Sequence, residues 1–197
     1  MADVIALLDS LNIQRAHVAG TSFGGFVALK LAADHPDRVA SIAIIAAAER
    51  ITPELWEGSA RTREAALAAA AGTGDGGRVL DYVLPATYSP AYMEANAELL
   101  GAHRRQTALL PRIWFLGIAG ILSALEGLDL TPGLPRIQCP ALIVAGEEDR
   151  MFPLDHSQAL ASGIPGARLV VVPGGSHGMV IERPDEVAGI LRGFLRD

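Results

Sequence analysis

Two runs in this sequence carry apolar side chains without the alternation of a half-exposed strand: VASIAIIAAA at residues 39–48 and CPALIVAG at residues 139–146. A strand that is apolar on both sides must be covered on both faces. That is the signature of a parallel sheet sandwiched between helices. Shorter apolar runs at His17–Gly20 and within ARLVVVPGG read as two further strands. Helical spacing fills the intervals. Apolar residues recur at Val4, Ile5, Leu7, Leu8 and Leu11, as on one face of a helix. A second helix is predicted from Ser22 to about Ala33, ended by Pro36 in DHPDR, because proline cannot continue a helix. PLDHSQALASGIPG reads as a third, and Pro184 to about Arg196 as the last. Pro184 suits a first helical turn, and Asp185 and Glu186 favour its positive end. From about Arg50 to Leu134 the texture differs. Helical segments, often Ala-rich, are broken by GTGDGG and by Pro85, Pro90 and Pro111, with no strand period. The expected fold class is α/β, a mostly parallel sheet with helices on its faces. Residues 1–50 and 135–197 would form its core and residues 51–134 a helical insertion.

A chain of 197 residues, half of them hydrophobic, suffices for one core with a small inserted unit. The formal net charge is −6, and the single lysine, Lys30, belongs to no basic cluster. That excludes the footprint that nucleic-acid backbones require. The single cysteine, Cys139, allows no intrachain disulfide and reads as a small buried hydrophobe. The first residues have no basic region and carry Asp3 and Asp9, unlike a signal peptide. The longest apolar stretch, Ile113 to Leu125, is too short to span a bilayer. A cytoplasmic location is the expectation, with no membrane span and no nucleic-acid partner.

The sharpest local feature is GTSFG, Gly20-Thr21-Ser22-Phe23-Gly24, set between a strand and a helix. Small residues flanking the serine let the backbone turn sharply and leave the hydroxyl exposed, with the helix N-terminus behind it. An ordinary Gly-rich turn, or one that binds phosphate, would share part of this pattern. A serine hydroxyl is a poor nucleophile unless a base takes its proton, so a histidine and a carboxylate should follow. Asp149 lies in GEEDRMFP, just after the strand ALIVAG, and His177 in PGGSHGMVIERP, just after RLVVV. Both fall in loops at strand C-terminal ends, the edge where open α/β sheets bind ligands. Glu147 and Glu148 are rival acids nearer the strand end, and Ser176 is a rival serine without a tight turn around it. His17, His35, His103 and His156 read as structural or surface residues. No His, Cys or Asp cluster has metal-ligand spacing, so no metal is expected.

Three blocks, HVAGTSFGGFVALKLAADHPDRV, IQCPALIVAGEEDRMFP and IPGARLVVVPGGSHGMVIERPDEV, are similar to those of the α/β-hydrolase fold superfamily. The resemblance covers nearly the whole chain, more loosely over the middle helices, which resemble the family's cap. Among subfamilies it looks most like small cofactor-independent esterases, 3-oxoadipate enol-lactonases and related carbon–carbon bond hydrolases, which implies that no cofactor is used. The resemblance implies a nucleophile elbow at Gly20, Thr21, Ser22 and Gly24, and catalysis by Ser22, Asp149 and His177. It implies an oxyanion donor at the Phe23 N–H. The serine argues against dehalogenases and epoxide hydrolases, which use aspartate there. An apolar or aromatic-derived ester or lactone is the expected substrate, selected by the cap. Arg104 and Arg105 are expected on a solvated helix face, not as a carboxylate clamp.

In that family roughly 70–90 residues usually precede the helix before the elbow, supplying further strands and a His-Gly loop. These 197 residues contain no such segment. The expectation is a truncated form of the fold without the second oxyanion donor, whose loss costs on the order of 10²–10³ in rate. The strand at His17–Gly20 would form an open sheet edge, free to pair with a second copy or a partner chain. Two other readings follow: an inactive or partner-dependent fragment acting as an interaction protein, and a cofactor-free perhydrolase of the haloperoxidase type.

Overall fold

The computed structural model describes residues 2–196. The chain divides into two compact units, one built up to Arg50 and from Asp129 onward, the other from Ile51–Leu128. The first unit holds a four-stranded sheet of β1 (Ala16–Thr21), β2 (Val39–Ile45), β3 (Ala141–Gly146) and β4 (Arg168–Val172). The strands lie in sequence order, and every pair is parallel. Around them are α1 (Ala2–Ser10) and α2 (Phe23–Asp34). After the second unit come α8 (Leu154–Gly163), the single turn α9 (Met179–Glu182) and α10 (Pro184–Phe194). The second unit contributes α3 (Pro53–Ala70), α4 (Arg78–Thr87), α5 (Pro90–Ala95), α6 (Ala97–Thr107) and α7 (Arg112–Ser123).

The two central strands explain the non-alternating runs. β3 is buried throughout and β2 nearly so. The pleat still sorts their side chains, because successive residues point to opposite faces. Ile42, Ile44 and Ile143 join Leu29 and Leu31 of α2 and Leu160 of α8 in one cluster. Ala43, Ile45, Leu142 and Val144 face the other way, onto Val172, Met179 and Val187 of α10. Burying each such side chain contributes about 1.5–3 kcal/mol, so the two faces together hold the register. The outer strands are only partly covered, with Gly20 the one buried residue of β1 and Val172 that of β4.

Two boundaries differ from the sequence-based expectation. The apolar run over residues 39–48 leaves the sheet at Ile45. Ala46 adopts φ 49°, which turns the chain out of the strand, while its N–H still reaches Val144 O at 3.0 Å. The insertion expected over residues 51–134 ends at Leu128. Residues Thr131–Arg136 form a 3-10 turn whose Leu134 is buried in the α2 and α8 cluster. That burial, invisible to local periodicity, assigns the turn to the first unit.

In the second unit, Ala66 and Ala70 of α3 pack with Val79 of α4 and with Phe115 and Ala119 of α7. Thr52 and Ser89 cap α3 and α5, accepting from Leu55 N–H at 3.4 Å and Tyr92 N–H at 3.2 Å. Arg104 is a tie inside this unit. Its guanidinium bonds Asp81 at 2.7 and 2.9 Å and Asp75 at 2.8 Å. Arg104 holds the Asp81 carboxyl below the usual carboxylate range, and the Gly77 N–H, with Arg104, does so for Asp75. Among the described residues no single helix is long and apolar enough to cross a membrane. One pair, α6 with α7, passes by length and composition only as a span bent by 106°.

Ile44 is fully buried between α2 and the sheet. Truncating it should cost about 2–5 kcal/mol, as large-to-small core changes do. Urea unfolding of Ile44→Ala should show a lower midpoint with an unchanged slope.

Candidate active site

The C-terminal ends of β1, β3 and β4 bring together the three side chains singled out from the sequence. At the end of β1 the Ser22 N–H donates to Ile45 O at 2.9 Å, which keeps the strand paired to its last residue. The chain then turns within one residue, with Ser22 at φ 52°, ψ −120°. This is a sparsely populated region for any side chain but glycine, and it costs on the order of 1–3 kcal/mol. Ser22 occupies the N-cap position of α2, yet its hydroxyl makes no capping bond. It lies instead 3.0 Å from His177 Nε2.

The glycines divide the steric work unevenly. A Cβ on Gly20 would sit 2.1 Å from Gly24 O, so strand and helix backbones touch there. A Cβ on Gly24 would meet nothing within 4 Å. Gly25, which the five-residue pattern does not include, is the second close approach, where a Cβ would lie 2.7 Å from that of Ala47. As the first residue of α2, Phe23 has an N–H with no acceptor inside the helix.

Asp149 is fixed by its own loop. Its Oδ1 accepts from the N–H groups of Met151 and Phe152, each at 2.8 Å. Its Oδ2 lies 3.0 Å from His177 Nδ1, and the two side chains are only 2% and 7% exposed. A carboxylate can only accept, so the imidazole carries its proton on Nδ1. The Nε2 lone pair is therefore turned to the Ser22 hydroxyl. The Phe152 ring stands edge-on to the imidazole at 5.4 Å and to Phe26 of α2 at 5.5 Å.

The loops carrying Asp149 and His177 are laced together. Glu147 N–H donates to Val172 O at 3.1 Å, Glu148 N–H to Gly175 O at 2.8 Å, and Gly174 N–H to Glu147 Oε2 at 2.8 Å. Gly146 permits this approach, since a Cβ there would lie 2.4 Å from Gly175 O. The rival acids thus have another place. Glu147 ties one loop to the other, and neither Glu147 nor Glu148 bonds His177. Ser176 donates to Glu182 Oε1 at 2.6 Å and accepts from Gly178 N–H at 3.0 Å, which holds the residue beside His177 in place. Arg183 reaches back to Pro173 O and Gly174 O at 2.7 and 3.1 Å. Sequence reasoning missed these supports, because most of them join one loop or turn to another through backbone and side-chain atoms alike and leave no spacing signal.

The remaining histidines and the cysteine lie apart from these contacts. His17 Nδ1 is 2.8 Å from Ser41 Oγ, and His156 Nδ1 is 2.9 Å from Glu49 Oε2. Cys139 is buried, and desolvation pushes its thiol above the ordinary range. That makes it a poor nucleophile. No group of three or more His, Cys, Asp or Glu among the described residues could hold a metal ion.

A strained serine between a parallel strand and a helix, with a histidine and an acid from later strand ends, defines the α/β-hydrolase class. The model of the alpha/beta hydrolase family matches residues 1–190, and the chain belongs to that family. It is a hydrolase. It is 30% identical to "Putative carbamate hydrolase RutD" of Caulobacter sp. (strain K31), the match covering 98% of this chain and 70% of that protein. The enol-lactonase of Burkholderia xenovorans LB400 superposes with a TM-score of 0.83 at 33% identity, over 99% of this chain and 71% of that one. A thermophilic esterase of Thermogutta terrifontis superposes at 0.81 with 26% identity, over 98% and 70%.

The glycine geometry gives a paired prediction. Gly20→Ala overpacks the elbow and should cost about 1–3 kcal/mol. Gly24→Ala, in open space within a helix, should be neutral or stabilising by about 0.5–1 kcal/mol. Thermal melting of the two variants beside the parent chain checks the contrast.

Proposed function

We propose that this hydrolase cleaves a carboxylic ester or lactone through an acyl-enzyme formed on Ser22. The observation that carries the reading is the unbroken relay from Ser22 Oγ to His177 Nε2 and from His177 Nδ1 to Asp149 Oδ2, each 3.0 Å. In the first half-reaction Ser22 Oγ attacks the acyl carbon while His177 Nε2 takes its proton. Asp149 holds the imidazole in the required tautomer and stabilises its positive form. The charge that develops on the carbonyl oxygen falls to the Phe23 N–H and the N-terminus of α2. The tetrahedral intermediate then expels the alkoxide, which takes the proton from His177. In the second half-reaction water gives a proton to His177 and attacks the acyl carbon, and collapse returns Ser22 and a carboxylic acid.

An ester and a lactone present the same reacting carbon, and the likeness to the enol-lactonase supports the cyclic form. The likeness to the relative named for carbamate hydrolysis supports a second reading, in which nitrogen replaces carbon on the acyl side. Both pass through the same serine. The relay favours either over a purely interacting protein, for which a strained serine aimed at a paired histidine has no use.

The test is hydrolysis of p-nitrophenyl acetate and butyrate, an enol-lactone and an alkyl carbamate, by the parent chain and by Ser22→Ala. Ester or lactone turnover should exceed carbamate turnover, and Ser22→Ala should lower kcat by about 10³-fold or more. Turnover unaffected by the substitution would refute the assignment of Ser22. Peracid formed from a carboxylic acid and hydrogen peroxide, without ester cleavage, would favour the perhydrolase reading.

A further inference from the structure

Glu49, Asp149, His156 and His177 are the buried acidic and histidine residues among those described. They form two pairs of one kind. The mechanism above uses Asp149 and His177, and it leaves Glu49 and His156 without a part. Yet His156 Nδ1 lies 2.9 Å from Glu49 Oε2, with the side chains only 10% and 7% exposed. Arg50 Nε adds a longer contact to the Glu49 carboxylate at 3.4 Å. Burying such a pair seldom stabilises a fold more than apolar side chains of the same size would. Stability alone therefore does not account for the pair, and its geometry has a use to be sought.

The position of the pair supplies the use. Glu49 follows β2, and its backbone is anchored where the chain leaves and re-enters the first unit. Its carbonyl accepts from Leu130 N–H at 2.9 Å, and Arg50 bridges to Asp129. His156 lies in the first turn of α8, directly after the loop that carries Asp149. That loop is tied on its entry side by β3 and by the bonds of Glu147 and Glu148 to the His177 loop. The bonds of Asp149 to Met151 and Phe152 lie within the loop and cannot fix it to anything else. On the exit side Phe152 packs on Phe26 and Leu160 of α8 lies in the core cluster, and the polar tie that joins α8 to the end of β2 is His156 on Glu49. Phe152, which stands against the His177 ring, sits between Asp149 and that tie.

We propose that the hydrogen bond from His156 to Glu49 is a clamp that positions the Asp149 loop against His177, making Glu49 and His156 positioning residues for the relay. The effect on turnover rests on the ester-hydrolase reading; the geometric claim does not. Misplacing a catalytic group by about 1 Å can cost 10²-fold without touching substrate binding. Removing the clamp should therefore act on kcat, not on KM.

The experiment pairs Glu49→Ala with Glu49→Gln, and His156→Ala with His156→Asn, so that each loss has a conservative variant that keeps the hydrogen bond. Two readouts are taken on chains shown folded by circular dichroism. One is kcat and KM for p-nitrophenyl acetate. The other is the low-field proton resonance of His177 Nδ1–H, which reports its bond to Asp149 without any turnover. The alanine variants should lose about 10-fold or more in kcat with KM within about twofold of the parent. They should also lose or weaken the resonance, and Gln and Asn should restore most of both. If Glu49→Ala does not fold, the His156 pair carries the test. Folded alanine variants with parental kcat and resonance would overturn the clamp, and so would Gln and Asn variants no better than alanine. A parent chain with the resonance but no turnover would count against the ester-hydrolase reading, and the clamp would be decided on the resonance alone.

Discussion

Ser22 sits in a backbone conformation that its side chain disfavours, and the surrounding unit is arranged to keep it there. The strain is on the order of 1–3 kcal/mol. Against it stand the bond from Ser22 N–H to Ile45 O, the contact of Gly20 with Gly24, and the burial of Leu29 and Leu31 in the helix that follows. Each of those leucines contributes about 1.5–3 kcal/mol, so the packing of α2 on the sheet outweighs the strain that it enforces. What results is a hydroxyl at a helix N-terminus that makes no capping bond and is left for the histidine.

The parallel sheet does the rest of the positioning. Because β1, β3 and β4 run the same way, the loops after them emerge at one edge, and Ser22, Asp149 and His177 meet although 155 positions separate the serine from the histidine. Parallel strands alone would deliver the loops only approximately. The lacing of Glu147, Glu148 and Gly174 with Val172 and Gly175 sets the acid loop against the histidine loop. Ser176 and Glu182 then steady the residue beside the imidazole. The site is thus a polar network in which every pairing fixes the angle of another, as buried networks must be if they are to be satisfied.

Much of this was legible in the sequence because the signals were local. The glycine pattern around Ser22 and the apolar runs that end just before Asp149 and His177 report strand ends directly. What stayed hidden depends on tertiary contact. The buried Leu134 draws a short turn into the first unit that the helical texture of its neighbours assigned elsewhere. Gly25 and not Gly24 makes the second close approach, which depends on Ala47 from another strand's end. Arg104 reads as a solvated cation but closes a fork with Asp75 and Asp81. Glu49 and His156 stand 107 positions apart and show no shared spacing, so their pairing is visible only once β2 and α8 lie side by side.

The central claim is that Ser22 is an activated nucleophile, and one measurement addresses it without knowledge of the substrate. The chain is treated with a fluorophosphonate beside His177→Ala and Ser22→Ala, and intact mass is recorded over time. The account predicts a single adduct on the parent chain, slow labelling of His177→Ala and none of Ser22→Ala. A folded parent chain that takes up no fluorophosphonate, or one labelled equally well without His177, would contradict it.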